Sequence, residues 1–168
     1  MQSSMYSFSV PVFVKTLGNL SAILAKGAAY AEQKKFDPAV LLSMRLAPDM
    51  FPLTMQVRIA CDFAKGATAR LAGEEPPKWE DNETTIAELQ DRIARTIASI
   101  EGFEPARFDG AETRKVTLTI RGEPVEYVGL PYLAHVVLPN FFFHATTAYD
   151  ILRHAGVDLG KRDFIGKV

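Results

Sequence analysis

Apolar residues recur at helical spacing in four separate stretches of the chain, and this pattern predicts four helices. The predicted helices cover roughly residues 11–31, 53–71, 85–101 and 131–156. Ser9 or Ser7 is a candidate N-cap for the first helix, and Pro11 is tolerated there because first-turn amides lack partners. The third helix has the clearest start, since Thr85 and Glu88 have the spacing of a capping box. The predicted fold class is therefore all-α.

Two long connections separate these helices. Residues 73–83, GEEPPKWEDNE, contain two prolines and no apolar periodicity, which is typical of a linker. Fully extended, this linker spans on the order of 35 Å, enough for the third helix to begin at the same end as the second. Val116, Leu118 and Ile120 alternate with polar residues before a turn at 121–124, which predicts a β-hairpin. We therefore expect one domain over residues 1–168, a four-helix bundle with a long crossover between helices two and three and a small hairpin before helix four.

The last predicted helix carries polar side chains on its inward face. Six residues fall at alternating steps of four and three, the spacing of one helical seam: Leu133, Val137, Asn140, His144, Thr147 and Ile151. Asn140 and His144 should therefore face the core, and Gln56 shares the inward stripe of the second helix. An unpartnered buried polar group costs about 1–3 kcal/mol, so these side chains must bond each other, a metal, a ligand or water. Pro139 is expected to kink this helix.

Composition narrows the function classes. The net charge of −1 comes from 19 basic and 20 acidic residues with no basic block, which argues against nucleic-acid binding. Lys15 interrupts the apolar residues near the N-terminus, so we expect neither a signal peptide nor a membrane span. The single cysteine, Cys61, cannot form an internal disulfide and has no basic neighbour in sequence, which predicts an inert thiol and a cytoplasmic protein.

The remaining chemical side chains have simpler interpretations. His135 lies off the inward seam, and His154 sits at a helix end, where a cation interacts favourably with the helix dipole. Trp79 in the linker is expected to pack on the protein surface. Residues 156–162 lack the spacing and the Ser or Thr of a phosphate loop, so nucleotide binding is rejected.

The order of these elements and the run LPNFFFHATTAYDILRHAGVDLGKRDFIG resemble the DinB/YfiT-like superfamily, and within it an uncharacterised domain-of-unknown-function branch of bacterial proteins. Members of the superfamily typically hold a divalent metal with one histidine on helix two and a His-x-x-x-His pair on helix four. The corresponding positions here are Gln56, Asn140 and His144. The resemblance thus implies a candidate zinc or nickel site at these residues. One imidazole with two amide oxygens binds such metals less well than three imidazoles, so the first expectation is that no cofactor is present.

Three functions follow as alternatives. The first is a degenerate metal-dependent transferase or hydrolase that uses His144 as ligand or base. The second is a small-molecule-binding module with the polar residues inside an apolar pocket. The third is a homodimeric interaction protein whose polar residues fix helix register.

The amount of apolar surface on helix four favours a homodimer. Phe141, Phe142 and Phe143 point about 100° apart, so this helix is apolar almost all round. Small residues on helix one, including Gly18, Ser21, Ala22, Ala25 and Gly27, would let a second helix approach closely. The alternative is a monomer in which the C-terminal Leu159, Phe164 and Ile165 cover helix four.

Overall fold

Helices account for most of the computed structural model, which describes residues 4–120 and 122–167. The α-helices are α1 (Val10–Lys34), α2 (Ala39–Ser43), α3 (Leu53–Leu71), α4 (Ile86–Glu101), α5 (Gly129–Pro131), α6 (Leu138–His154) and α7 (Lys161–Ile165). A 3-10 helix spans Pro105–Phe108 and a π-helical segment spans Tyr132–Val137. Strands β1 (Lys115–Ile120) and β2 (Glu123–Val128) pair antiparallel, with Val116 opposite Tyr127.

The long helices α1, α3, α4 and α6 pack side by side in two directions. Helices α1 and α6 run the same way, because Phe13 meets Phe141 near their starts and Gly27 meets Leu152 near their ends. Helix α3 runs opposite to α6.

Helices α3 and α4 are parallel to each other. Arg58 bonds Glu83, which lies just before α4, and Asp62 bonds Arg92 farther along both helices. This is the arrangement that the length of the 73–83 linker allows. The linker has no helix or strand, yet its side chains are tied to both helices, as described below.

The predicted boundaries of the second and third helices agree with the structure. Helix α3 has the predicted ends, and Gly73 beyond it has φ +80. The capping box of α4 is present, with the Glu88 N–H donating to Thr85 Oγ1 at 3.2 Å and the Thr85 N–H donating to Glu88 at 2.9 Å. The hairpin is also present, although Arg121 of its predicted turn lies outside the described residues.

Two predictions about α1 were wrong. Ser9 precedes the helix but makes no side-chain cap, because its Oγ donates to the carbonyl of Met5 at 2.6 Å instead. The helix also continues past residue 31 to Lys34 and ends where Lys35 adopts a left-handed conformation with φ 59.

The last predicted helix is divided rather than simply kinked. One turn of α5 leads into the π-helical segment Tyr132–Val137, and α6 starts at Leu138 with Pro139 in its first turn. Proline lacks an N–H, and its ring clashes with the carbonyl four residues earlier, so a wider turn before it relieves both problems. The seam shifts as a result: Phe141 is fully buried and Asn140 only half-buried.

The short elements were not predicted, because each spans too few residues to show an apolar period. Among them, α7 folds back on the first helix, where Asn19 donates to the carbonyl of Phe164 at 2.9 Å and Lys26 pairs with Asp163 at 2.7 Å. The Phe164 ring also meets Tyr149 of α6. In the ranges 4–120 and 122–167, no helix combines the length and apolar character needed to cross a membrane.

Candidate functional site

Gln56 and His144 meet in the interior between α3 and α6. Gln56 Oε1 lies 2.7 Å from His144 Nδ1, and the two side chains are 1% and 8% exposed. The antiparallel packing of the two helices brings these residues together across 88 positions of sequence. The prediction that Gln56 faces inward toward helix four is confirmed by this contact.

A backbone carbonyl determines the orientation of the Gln56 amide. Gln56 Nε2 donates to the carbonyl of Phe51 at 3.0 Å, which turns Oε1 toward the imidazole. An amide oxygen can only accept a hydrogen bond, so His144 Nδ1 must carry the proton. The neutral ring therefore has an unprotonated Nε2, which can accept a hydrogen bond, take up a proton or bind a metal.

The loop before α3 holds this carbonyl in place. The N–H of Leu53 donates to Met44 at 2.9 Å, and Thr54 Oγ1 donates to the Leu42 carbonyl of α2 at 3.1 Å. These bonds close the 44–53 loop over the first turn of α3. The segment from α2 to α3 thus works as a support for the Gln56 amide.

Aromatic side chains surround the imidazole. The Phe63 ring stacks on it with a centroid distance of 6.1 Å, and the Phe143 ring meets it edge-on at 5.1 Å. Burial in this environment lowers the pKa of His144 below its ordinary value, because it disfavours the charged ring. His144 is therefore neutral at pH 7.

The free nitrogen of His144 keeps some contact with solvent. In the described ranges Nε2 has no hydrogen-bond partner, and the one fully buried side-chain nitrogen or oxygen atom without a partner there is Arg92 Nε. Nε2 is therefore not fully enclosed, although the side chain as a whole is only 8% exposed. The neighbouring Phe143 is 54% exposed and adds apolar surface beside the ring.

Asn140 does not join the pair. Its Nδ2 donates to the carbonyl of Val136 in the preceding π-helical segment at 2.6 Å, and no hydrogen bond links it to Gln56 or His144 in the part of the chain described. The sequence placed Asn140 on the same seam as His144, but it did not reveal that the π-helical segment ends one turn earlier and offers a carbonyl to this amide. The structure therefore brings together Gln56 and His144 but not Asn140.

This arrangement does not fit a three-ligand metal centre. Gln56 Oε1 accepts from His144 itself, and Asn140 bonds Val136 rather than the pair, so His144 Nε2 is the one imidazole nitrogen that these three residues offer a metal. No group of three His, Cys, Asp or Glu side chains in residues 4–120 and 122–167 is placed to hold a metal ion. We derive no chemistry through a metal from this donor set.

Cys61 is enclosed on α3. Burial raises the pKa of its thiol to about 12, although a hydrogen bond with Thr96 and the charge of Arg92 act in the opposite direction. The sequence shows no basic neighbour for Cys61, but the fold brings Arg92 close. Burial still prevails, so the thiol is protonated at neutral pH and unreactive. His135 and His154 are exposed.

Sequence reasoning missed a buried charged cluster around Arg92, which is 4% exposed. Its guanidinium bonds Glu83 at 2.8 Å and both Asp62 and Asp81 at 3.0 Å. Arg58 also bonds Glu83, at 2.7 Å. Burial alone would raise the pKa of Glu83, but the hydrogen bonds from the two arginines outweigh it and lower that pKa. The sequence does contain one signal for this cluster: Arg92 follows the inward-facing Leu89 by three residues on the same helix, so the two share a face.

Comparison with known proteins identifies the fold and the family of this chain. A solved structure described as a DinB family member protein from Shewanella denitrificans is 46% identical to this chain, covers 98% of it and 93% of its own length, and superposes with a TM-score of 0.91. The fold is thus that of a DinB-like protein. Residues 5–165 match the model of the domain of unknown function DUF1993, and the chain belongs to that family. A comparison with curated proteins found no match.

Proposed function

We propose that this protein binds a small molecule through His144, whose Nε2 accepts a hydrogen bond from an O–H or N–H group of the ligand. The observation that carries the proposal is the 2.7 Å contact between Gln56 Oε1 and His144 Nδ1, which fixes the tautomer and leaves Nε2 as a hydrogen-bond acceptor. Ligand sites commonly combine mostly apolar walls with a few fixed polar groups. Phe63 and Phe143 supply such walls here.

The same arrangement makes His144 a candidate general base. A neutral imidazole with an accessible Nε2 accepts a proton from a bound hydroxyl or thiol, and the Gln56 oxygen stabilises the resulting cation through Nδ1. Burial opposes that cation, so proton uptake is weaker than for an exposed histidine. Binding is therefore the primary proposal, and general-base catalysis is the second candidate function for the same nitrogen.

A pair of matched probes tests the binding proposal. Phenol has an aromatic ring and one O–H donor, whereas anisole keeps the ring and lacks the donor. We expect phenol to shift the His144 Nε2 resonance in a nitrogen NMR spectrum and anisole to leave it unchanged. Equal shifts with both probes, or shifts of equal size at exposed His135 and His154, would contradict the proposal.

Metal titration separates this proposal from the metal-dependent alternative. Calorimetry with zinc and with nickel should show only weak binding to the natural sequence, as expected for one imidazole. Tight stoichiometric binding that disappears in His144→Gln would instead favour a metal-dependent enzyme.

We further infer that α1, α3, α4 and α6 constitute a four-helix bundle of the DinB type, which their packing directions support.

A further inference from the structure

Arg70, in the last turn of α3, is a half-buried cation that makes no ion pair with any residue in the ranges 4–120 and 122–167. Its Nη1 lies 3.4 Å from the hydroxyl oxygen of Tyr132, at the start of the π-helical segment. Arg58 and Arg92 on the same side of the protein both have carboxylate partners. Arg70 differs from these two arginines because most of its N–H groups have no acceptor in the described part of the chain.

Arg70 and Tyr132 together present donors without acceptors. The Tyr132 oxygen accepts from Arg70, and its own O–H has no acceptor within the described part of the chain. Tyr132 is 2% exposed, and burial raises the pKa of its hydroxyl while Arg70 partly opposes the rise, so the proton stays on. The neutral Tyr132 hydroxyl does not balance the charge of Arg70, so a group with acceptor oxygens is the partner that the guanidinium lacks.

A cavity of about 470 Å³ lies beside Arg70 and is also lined by Lys65, Lys78 and Trp79. Gly66 forms part of its wall, where a Cβ atom would lie only 2.6 Å from Arg70 Nη1. A glycine at this position therefore allows the guanidinium to lie close along α3.

Two acidic side chains also line the cavity, and their charges are largely offset. Asp62 is bonded to Lys65 at 2.9 Å and to Arg92 at 3.0 Å. Glu75 is exposed. The charges of Arg70 and Lys78 exceed that of Glu75, so the cavity favours an anion.

We propose that this cavity binds the carboxylate or phosphate group of a small molecule, with Arg70 as the charged donor, Lys78 as a second cation and the Trp79 ring as a wall. Arg70 follows Gln56 by 14 residues on α3, which places the two sites roughly 21 Å apart along the helix. The test of the anion site is therefore independent of the test of the His144 site, and one proposal can fail while the other holds.

Trp79 makes the test direct, because it is the single tryptophan of the chain. Its fluorescence is followed during titration with inorganic phosphate and with benzoate, each against sodium chloride of equal ionic strength. We expect a saturable change with at least one anion, and the anion that binds more tightly distinguishes phosphate from carboxylate ligands. Arg70→Gln should raise the Kd by about tenfold or more, because it removes a charge-assisted hydrogen bond.

Arg95→Gln is the matched control. Arg95 lies 4.2 Å from the centroid of the same tryptophan ring but is not part of the cavity lining, so its loss should leave the Kd unchanged. Lys78→Gln removes the second cation of the lining at an exposed position and should also raise the Kd, which provides a second test if the arginine variant folds poorly. No saturable change beyond that of sodium chloride, or equal weakening by Arg70→Gln and Arg95→Gln, would overturn the proposal.

Discussion

Gln56 does more than satisfy a buried histidine, because its amide orientation selects which imidazole nitrogen carries the proton. The Phe51 carbonyl accepts a hydrogen bond from Gln56 Nε2 and so fixes the amide orientation. Gln56 Oε1 then accepts a hydrogen bond from His144 Nδ1. A leucine at position 56 would fill the same space but leave Nδ1 without a partner. The chemistry of His144 therefore depends on a residue that never needs to touch a ligand.

The pH dependence of stability should report the burial of His144. The folded protein keeps this ring neutral, because burial lowers its pKa, while the unfolded chain protonates it near the ordinary value of 6.5. The unfolded state then binds more protons as the pH falls. We expect the free energy of unfolding, measured in urea, to be fully retained above about pH 6.5 and to decrease as the pH falls through the lowered pKa.

Two variants check that this decrease comes from His144. His144→Gln should flatten the pH dependence in that range. Gln56→Glu should raise the pKa of His144 in an NMR titration, since it places a carboxylate beside Nδ1. An unchanged His144 titration in Gln56→Glu would mean that the two side chains do not meet in solution.

A metal site should be recoverable at the same place. The double variant Gln56→His with Asn140→His supplies three imidazoles, two of them four residues apart on α6. We expect calorimetry to show stoichiometric zinc or nickel binding where the natural chain binds weakly. Single replacement of Asn140 serves as the control, and no gain in the double variant would show that position 140 cannot turn toward His144.

Sequence periodicity was sufficient to place Gln56 and His144 on facing helices, because burial follows the apolar stripe on each helix. It was insufficient for Asn140, whose hydrogen bond depends on the local geometry of the π-helical segment. It also missed Arg92 and Arg70, since their partners come from the linker and from a distant helix. Contacts of this kind depend on three-dimensional packing that one sequence does not specify.

At the scale of elements, the 73–83 linker is held by charge and by one aromatic ring. Arg92 forms ion pairs with Glu83 and Asp81 of the linker. The centroid of the Trp79 ring lies 4.5 Å from Lys65 Nζ and 4.2 Å from the guanidinium carbon of Arg95. The composition of this segment indicated a polar linker, which is what the structure contains. The attachment to α3 and α4 was not predictable, because prolines and charges alone do not identify their partners.

Removal of Arg92 should loosen this linker. Arg92→Met leaves Glu83 largely buried without its main partner, and we expect a loss of about 3 kcal/mol in the free energy of unfolding. This figure is at the low end for a buried ion pair because Asp62 and Asp81 keep almost half of their side-chain exposure. Arg95→Gln is the control and should cost about 1 kcal/mol or less. Equal losses in the two variants, measured in urea, would argue against a special role for Arg92.

Two glycines should respond in opposite directions to alanine. A Cβ at Gly129 would lie 1.8 Å from the carbonyl oxygen of Ala111, so Gly129→Ala must displace the base of the hairpin and should cost about 1–3 kcal/mol. Gly18, inside α1, has nothing within 4 Å of the same position. Gly18→Ala should therefore stabilise the protein by up to about 1 kcal/mol. Urea unfolding of both variants tests the pair, and destabilisation by Gly18→Ala would contradict the expectation.

At the scale of the whole molecule, apolar surface remains on α6. Phe142 and Phe143 are 36% and 54% exposed, although α7 and its Phe164 cover part of the helix. On α1, Gly18, Ala22 and Ala25 face outward, whereas Gly27 packs against Leu152 and cannot contribute to an outer surface. These two surfaces are the candidates for contact with a second copy.

We expect a homodimer through one or both of these surfaces. A stable interface removes well over about 1,000 Å² from water and has an apolar centre, for which the phenylalanines are suited. Light scattering at micromolar concentration should give twice the mass of one chain. Phe142→Glu and Phe143→Glu identify whether α6 takes part, with Ala98→Glu on the exposed side of α4 as control. A mass equal to one chain for the natural sequence would leave the monomer as the correct description.

The return of α7 onto α1 has a consequence for the order in which the protein is made. Asn19 and Lys26 find their partners 145 and 137 residues later in the chain. During synthesis, the first helix emerges from the ribosome long before Phe164 exists, so this side of it stays uncovered until α7 has been made. We expect this face of the nascent helix to be open to chaperones over that interval and to close when α7 folds onto it.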